Sequence, residues 1–346
     1  MLATATNAAA AAAAQNQPTA TTINWQQIVE PAEPFLAAVS QRLRQQIREF
    51  DSGIEAYAEY ALTGQGKQLR PLLVALSGNA AGKLNDNHVT VAVIIEMVHL
   101  ATLVHDDVMD EADIRRGRRT LAANWGNEIA VLLGDCLFAH SLKLAASFPT
   151  PEICRAVAAA TNTVCSGEIL QTRARGDFAL TREQYFKMLE MKTGELFALS
   201  CDLGALLTNT EAAHREALRR FGMALGTAYQ LYDDCVDIFS SESKAGKSLG
   251  TDLIKGKLTL PVLLLRDKVS PSEREQLEAL VKEWQAESMP LLREMLTRHG
   301  IAADSLTEIR KLLADARELA ASLPGGRQEL AWLTDYLARQ TEAVCA

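Results

Sequence analysis

Two long apolar segments of this chain end in the same acidic pattern, and this repetition limits the folds that the chain can adopt. Asp-Asp-x-x-Asp occurs as DDVMD at residues 106–110 and as DDCVD at residues 233–237. Because residues i and i+4 lie on one face of a helix, Asp106 is one turn from Asp110, and Asp233 is one turn from Asp237. We therefore expect two core helices that each end in a face of carboxylates.

The acidic spacing brings no structural benefit of its own. Like charges four residues apart destabilise an isolated helix by about 0.2–0.5 kcal/mol per pair. Carboxylate oxygens suit Mg²⁺, which is usually bound by one or two carboxylates together with substrate phosphates. One motif alone would indicate a solvated acidic helix end, but two of identical spacing favour several metal ions around a polyphosphate. Neither motif has the glycine or the distal glutamate of an EF-hand loop.

A dense cationic cluster directly follows the first motif. The five acidic residues of the range 106–113 are followed by four arginines within residues 115–119. The planar guanidinium binds phosphate in a bidentate manner. An anionic substrate that contacts both metal-bound acids and arginines would explain why the two clusters adjoin. A solvated basic patch or a localisation signal is the alternative for the arginines.

Two further cationic segments are candidates for phosphate binding. Lys67 and Arg70 lie one turn apart at a predicted helix start, where free N–H groups favour anions. The segment GKSLGTDLIKGKLTLP, at 246–261, contains three lysines and three glycines and predicts a flexible phosphate cover. It is not a P-loop, because Ser241 stands where that pattern requires glycine. The hypothesis of a kinase or ATPase function therefore loses its main support.

The rest of the chain predicts an all-α protein. Gly (20) and Pro (10) are sparse among 346 residues, and helical periodicity runs from Trp25 almost to the C-terminus. We expect no strands and one domain over residues 24–346. The long helices are predicted at 85–110, 121–148, 153–175, 182–207 and 211–239, with a loop at 240–256.

Composition excludes several classes of protein. A net charge of −8 and a pI of about 5.4 do not fit an overall basic nucleic-acid binder. Six cysteines without a CxxC pair or zinc spacing indicate a reducing compartment. The longest apolar run, 89–104, is shorter than the ~20 residues of a membrane helix. Residues 1–23 carry no charge and are predicted to be a disordered extension, so we expect a cytoplasmic protein.

Seven pieces of the sequence occur in the order that is typical of one known family. They are GKQLRP, HLATLVHDDVMDEADIRRG, GD at 134–135, GEILQ, KTGELF, YQLYDDCVD and GKSLGTDLIKGKLTLP. Together they resemble the trans-isoprenyl diphosphate synthases, in particular the long-chain type that makes octaprenyl or solanesyl diphosphate. The resemblance implies an all-α bundle around a deep central apolar cavity, and a homodimer. It also implies Mg²⁺-dependent head-to-tail condensation of isopentenyl diphosphate with an allylic diphosphate.

The resemblance further implies roles for individual residues. Those implied in catalysis are Asp106, Asp107, Asp110, Lys192, Asp233 and Asp234. Three Mg²⁺ ions, with Mn²⁺ as a substitute, would be bound by Asp106, Asp110, Asp233 and Asp237. The allylic diphosphate would contact Arg115, Lys192, Thr193, Gln230, Lys247 and Lys257. The diphosphate of isopentenyl diphosphate would be bound by Lys67, Arg70, His99 and Arg116. His99 taken alone would indicate an ordinary core histidine.

The residues before the first motif predict a long product. Short-chain members of the family commonly have a bulky ring where this chain has Ala101 and Thr102, and the predicted path continues along Met97 and Val98. Residues 86–110 contain no Phe or Tyr. We expect a C40–C45 product that serves as a quinone side chain and is handed over at a membrane surface. Phe138 and Phe148 are candidates for the floor of the cavity.

Three alternatives remain open. A farnesyl or geranylgeranyl diphosphate synthase would have the same motifs and a shorter cavity. A terpene cyclase also has an all-α fold and a DDxxD motif, but it lacks the second diphosphate site implied by Lys67, Arg70 and Arg116. A non-catalytic subunit of a heteromeric synthase typically loses one acidic motif, and this chain keeps both.

Overall fold

Helices form most of the protein, as the sequence predicts. The computed structural model describes residues 23–63, 66–241, 249–324 and 328–346. The helices are α1 (Trp25–Val29), α2 (Glu33–Ile47), α3 (Glu55–Leu62), α4 (Leu69–Ala81), α5 (Asp86–Met109), α6 (Leu121–Trp125), α7 (Asn127–Ala146), α8 (Glu152–Arg173), α9 (Arg182–Leu189), α10 (Glu195–Leu206), α11 (Ala212–Phe239), α12 (Thr251–Ile254), α13 (Leu260–Lys268), α14 (Pro271–Lys282), α15 (Met289–Arg298), α16 (Ile301–Ala321) and α17 (Gln328–Cys345). Single 3₁₀ turns cover Glu30–Ala32 and Ala286–Ser288, and a π-helical segment covers Glu190–Gly194. Strands β1 (Ile114–Arg115) and β2 (Arg118–Arg119) form an antiparallel hairpin.

The core consists of two hydrophobic clusters that meet at α4 and α10. One cluster surrounds α5 together with α7 and α8, and the other surrounds α11 together with α13 to α17. On α10, Leu199 belongs to the first cluster and Phe197 to the second. Glycine allows the close approach, because a Cβ on Gly204 would lie 2.6 Å from the carbonyl oxygen of Val74. A Cβ on Gly222 of α11 would lie 2.5 Å from the carbonyl oxygen of Phe197, so α10 lies close against both α4 and α11.

Helix α5, which carries the first acidic motif, is a core helix. The Asn85 side chain caps its start, and its middle turns are almost completely buried. By length and composition, α5 and α7 are both apolar enough to cross a membrane, so the prediction that no segment reaches this length is wrong. However, 72% of the apolar stretch of α5 is buried inside the protein, against 39% for α7. Burial accounts for the apolar character of α5, whereas α7 keeps an exposed apolar side.

Four local predictions differ from the structure. The predicted helix 121–148 is interrupted at Gly126, whose φ of +90° ends α6 before α7 begins. The predicted helix 182–207 contains the π-helical segment, and the predicted loop 240–256 contains α12. The β1–β2 hairpin was not expected, and its turn requires positive φ at Arg116 and Gly117. The predicted disordered extension lies, apart from Ile23, outside the described residues.

Candidate active site

A large cavity lies among α4, α5, α8, α11 and the segment that includes α12. Its volume is about 1930 Å³, compared with roughly 300–1,000 Å³ for most ligand pockets. Charged side chains line it together with apolar side chains, which include Val131, Phe138, Val164 and Ile169. Such a lining suits a ligand with an anionic head and an apolar body.

The last turn of α5 brings Asp106 and Asp110 to the cavity. The Asp110 carboxylate lies between two cations, with Lys257 Nζ 3.0 Å from Oδ2 and Arg175 Nη2 3.1 Å from Oδ1. Burial acts to raise the pKa of Asp110, but the nearby cations, Lys257 foremost, outweigh burial and keep this pKa below its usual value. Burial dominates at Asp106, where it raises the pKa against the opposing charge of Lys192. The pKa of each carboxylate therefore reflects a balance between burial and the neighbouring cations.

Asp107 faces away from the cavity and contacts Arg115. Arg115 Nε donates to Asp107 Oδ1 over 2.6 Å, and Arg115 itself lines the cavity. Burial raises the pKa of Asp107, and Arg115 opposes this shift. In this structure Asp107 therefore orients the arginine, while the two other aspartates of its motif line the cavity.

The second motif presents a different pair of carboxylates. Asp233 and Asp234 line the cavity, whereas Asp237 is not among its lining residues. Asp237 instead accepts hydrogen bonds from Thr251 N at 3.3 Å, Thr251 Oγ1 at 3.1 Å and Asp252 N at 3.3 Å. These bonds hold the start of α12. Of the pair Asp233 and Asp237, which are one turn apart, only Asp233 thus lines the cavity, and metal binding by Asp237 stays a prediction.

Asp234 lies in a network of neutral hydrogen-bond donors. The Tyr185 hydroxyl donates to Oδ2, and Gln230 Nε2 donates to Oδ1 over 2.9 Å. Thr193 Oγ1 in turn donates to Gln230 Oε1 over 2.9 Å. Burial, followed by the neighbouring carboxylates, raises the pKa of Asp234 to about 8, although both hydrogen bonds act in the opposite direction. Asp234 therefore binds its proton far more tightly than an ordinary aspartate.

The π-helical segment carries Lys192 and Thr193, both of which line the cavity. Lys192 Nζ forms an ion pair with Glu168, donates to Gln171 over 2.9 Å, and lies 3.9 Å from Asp106 Oδ2. Burial acts to lower the pKa of Lys192, but the two carboxylates outweigh burial and raise it. Such segments occur frequently at functional sites. Lys192 therefore stays charged beside the first motif.

A second group lines the same cavity and consists of the cations Lys67, Arg70 and Arg116 together with His99. Burial lowers the pKa of Arg70 to about 10 despite the nearby Glu96, and Arg70 Nε is buried without a hydrogen-bond partner. The Arg70 guanidinium lies 5.0 Å from the centre of the Phe197 ring. Burial, followed by Arg70, lowers the pKa of His99 well below its usual value, so this imidazole is neutral. An unpaired buried Nε is a donor suited to an anion.

The four arginines of the hairpin do not act together. Arg115 and Arg116 line the cavity, but Arg118 lies 4.2 Å above the Tyr60 ring, and Arg119 Nη2 donates to Ala123 O over 2.7 Å. Of the four arginines predicted to bind phosphate, two therefore line the cavity and two do not.

Only part of the predicted chain-length wall reaches the cavity. Thr102 lines it, whereas Met97, Val98 and Ala101 are fully buried among core side chains and are not lining residues. At about 100° per residue, Met97 points to the opposite side of α5 from Thr102 and His99. Phe138 lines the cavity and makes an edge contact with His105, but Phe148 does not reach it.

Sequence reasoning missed Glu168, Gln171, Arg175 and Tyr185, which contact the predicted site residues directly. The motif GEILQ contained the first two, so its polar residues were an available signal. No signal marked Arg175 or Tyr185. Lys247 lies outside the described residues.

Comparison with known proteins assigns the class that this fold and cavity define. The model of the family described as "Polyprenyl synthetase" matches residues 51–297. The chain is 36% identical over 307 residues to the nonaprenyl diphosphate synthase of Mycobacterium tuberculosis, covering 87% of this chain and 91% of that protein. It is 32% identical over 261 residues to the octaprenyl diphosphate synthase of Escherichia coli, covering 75% and 81%.

A solved structure shares the fold. The polyprenyl synthase of Caulobacter crescentus, complexed with calcium and isoprenyl diphosphate, superposes with a TM-score of 0.85 at 32% identity, covering 92% of this chain and 98% of that one. The chain belongs to the polyprenyl synthetase family. It is a prenyltransferase of the trans-polyprenyl diphosphate synthase type, as the sequence motifs predicted.

The donors present fit a hard divalent cation. Within the described ranges, no three His, Cys, Asp or Glu side chains are grouped so as to hold a metal ion by themselves. Carboxylates of both motifs nevertheless line one cavity. Mg²⁺ commonly takes one or two carboxylates and completes its octahedron with water and substrate phosphates. This arrangement fits metal that arrives together with a diphosphate.

Proposed function

We propose that this cavity joins isopentenyl diphosphate to an allylic diphosphate in successive head-to-tail (1′-4) steps. The observation that carries the proposal is that carboxylates of both acidic motifs, two groups of cations and several apolar side chains line one cavity. The cations beside the first motif, Arg115, Lys192 and Lys257, are suited to the allylic diphosphate. Those around Arg70 are suited to the diphosphate of the second substrate.

The chain's own residues would carry out most of the reaction. Three bound Mg²⁺ ions, with Mn²⁺ as a substitute, would supply the positive charge that stabilises the departing diphosphate. Arg115, Lys192 and Lys257 add fixed positive charge at the same place, and preorganised charge is a large part of catalysis. Arg70 and Arg116 hold isopentenyl diphosphate so that its double bond attacks the allylic cation. The leaving diphosphate accepts the proton that is then lost, and the apolar lining keeps water from the cation.

The lining supports a long product of 40–45 carbons that serves as a quinone side chain. Thr102, at a position where short-chain members of the family commonly have a bulky ring, is small and lines the cavity, as does Phe138. Incubation with farnesyl diphosphate and radiolabelled isopentenyl diphosphate, followed by separation by chain length, tests this. A product no longer than C20 would refute it and favour a short- or medium-chain synthase.

Two variants test the path itself. Thr102→Phe should shorten the product, because the ring enters the cavity, and Phe138→Ala should lengthen it if Phe138 is the floor. Met97→Phe is the matched control, since Met97 is buried in the core and its replacement should cost stability rather than change product length.

The exposed side of α7 and α8 supports a homodimer. Val131, Leu132 and Ile169 are 41%, 60% and 61% exposed, and Val131 and Ile169 also line the cavity. A second copy on this face would cover them and close the cavity from outside. Light scattering after size exclusion should give twice the chain mass, and Leu132→Glu should give one chain mass. We place the enzyme in the cytoplasm, with its product passed on at a membrane surface.

Activity of the purified chain alone separates the remaining alternatives. Turnover that requires isopentenyl diphosphate excludes a terpene cyclase, which would act on the allylic diphosphate by itself. Turnover without a second polypeptide excludes a non-catalytic subunit. Inactivity with both substrates and Mg²⁺ would refute the proposed function.

A further inference from the structure

Asp110 is bound by two cations that lie differently with respect to the cavity. Lys257 Nζ contacts Oδ2, and Lys257 lines the cavity. Arg175 Nη2 contacts Oδ1, but Arg175 is not among the lining residues. Lys257 can therefore reach a ligand in the cavity, whereas Arg175 acts on that ligand only through Asp110.

The backbone holds these two cations next to each other. Gly176 N donates to Gly256 O over 2.8 Å, which joins the end of α8 to the turn after α12. Arg175 directly precedes the donor, and Lys257 directly follows the acceptor. Gly256 has a φ of +70°, and a Cβ there would lie 3.3 Å from Gly176 N, so glycine suits this contact. The bond fixes Arg175 relative to the segment that carries Lys257.

We propose that Arg175 is a positioning residue that keeps Oδ1 of Asp110 fixed while Lys257 exchanges Oδ2 for a diphosphate oxygen. The proposal rests on the proposed function, in which Asp110 binds metal. A carboxylate that binds metal through one oxygen is oriented by a donor on the other, and loss of such a donor typically costs about 10–100-fold in metal affinity or activity. Arg175 supplies that donor, and the departure of Lys257 frees the oxygen that the metal needs.

Binding of Mn²⁺ alone, followed by the electron paramagnetic resonance signal of the free ion, separates the two roles. Arg175→Met should raise the Mn²⁺ concentration for half-saturation by about 10–100-fold, because Asp110 loses its orientation. Lys257→Met should not raise it, because Lys257 competes with metal for Oδ2. Arg155→Met, an exposed arginine earlier on α8, is the matched control and should bind as the wild type does.

Steady-state kinetics provide a second readout. Arg175→Met should raise the Mg²⁺ concentration for half-activation and leave KM for the allylic diphosphate unchanged at saturating Mg²⁺. Lys257→Met should raise KM for the allylic diphosphate and leave the Mg²⁺ concentration for half-activation unchanged. Arg175→Lys keeps a cationic donor and should recover part of the metal affinity, which a general folding defect would not allow.

The outcomes distinguish this proposal from the proposed function. If Arg175→Met bound Mn²⁺ as tightly as the wild type or more tightly, and its Mg²⁺ requirement were unchanged, the positioning role would be wrong. Arg175 would then be no more than a competitor for Asp110. If the wild type failed to condense the two diphosphates, the proposed function would be wrong instead. Circular dichroism and thermal unfolding of each variant confirm that the compared proteins are folded.

Discussion

The last turn of α5 and the last turn of α11 carry the same five-residue pattern, yet their carboxylates meet different kinds of partner. Asp107 and Asp110 lie against arginine and lysine, whereas Asp234 and Asp237 accept from hydroxyl, amide and backbone donors. Nearby cations, Lys257 foremost, outweigh burial and lower the pKa of Asp110, whereas burial raises the pKa of Asp234 to about 8 and also raises that of Asp107 despite Arg115. The comparison teaches that spacing specifies a helical face, while tertiary neighbours decide the charge that the face carries.

The largest expected effect tests whether both motifs serve one reaction. Asp106→Asn and Asp233→Asn should each lower kcat by on the order of 10²–10³-fold, because each removes charge needed around the departing diphosphate. Asp315→Asn, an exposed aspartate on α16, is the control. Near-normal turnover of either variant would show that the aspartate of that motif is not needed for the reaction.

Removal of a neutral donor tests the second motif alone. Tyr185→Phe should lower activity at pH 7 by about 10-fold, because the hydroxyl favours the ionised form of Asp234 and a hydrogen bond to a charged group contributes about 1.5–3 kcal/mol. The lost hydroxyl had favoured the ionised carboxylate, so the pKa of Asp234 should rise further and activity should recover partly at higher pH. The pH–rate profiles of the variant and of Tyr336→Phe, whose ring lies against Trp25, provide the measurement. An unshifted profile would exclude this role of Tyr185.

Asp237 sharpens the comparison because its counterpart in the first motif, Asp110, lines the cavity and contacts cations, whereas Asp237 does not line the cavity. Asp237→Ala should lower the free energy of unfolding by about 1 kcal/mol, as does loss of a helix cap, because α12 loses three hydrogen bonds. Urea denaturation with EDTA present measures this. Unchanged stability together with weaker Mn²⁺ binding would support the metal-ligand role implied by the family instead.

The stability of the metal-free protein should depend on pH through Asp234. A carboxyl group with a raised pKa binds its proton more tightly in the folded state, so its contribution to stability is present at low pH and falls as pH rises from about 4 to about 8. Asp110, with a lowered pKa, contributes in the opposite sense, and its stabilisation is lost on acidification. Melting temperatures between pH 5 and 9 should decline less steeply for Asp234→Asn than for the wild type. Equal slopes of melting temperature against pH for the two proteins would contradict the raised pKa of Asp234.

The sequence allowed the all-α class and most cavity-lining charges to be predicted, because periodicity and motif spacing are local properties. Met97 and Ala101 were predicted to form the wall but are not among the lining residues, because periodicity defines the faces of α5 but not which face meets the cavity. Arg175 could not be found, since its contact with Asp110 depends on a backbone bond between segments distant in the chain. The break at Gly126 was also missed, because one glycine within a periodic pattern does not reveal a positive φ.

The ion pair between Lys257 and Asp110 has a thermodynamic consequence for the order of assembly. A divalent ion that approaches Asp110 must compete with the lysine, and an anion that approaches the lysine must compete with the carboxylate. When both ligands arrive, each takes the partner that the other releases. Thermodynamic linkage then requires that the ion raise the affinity for the anion by the same factor by which the anion raises the affinity for the ion. Each ligand would bind more weakly alone than in the presence of the other, and the reactive allylic group would be most exposed to ionisation when the full complement is bound.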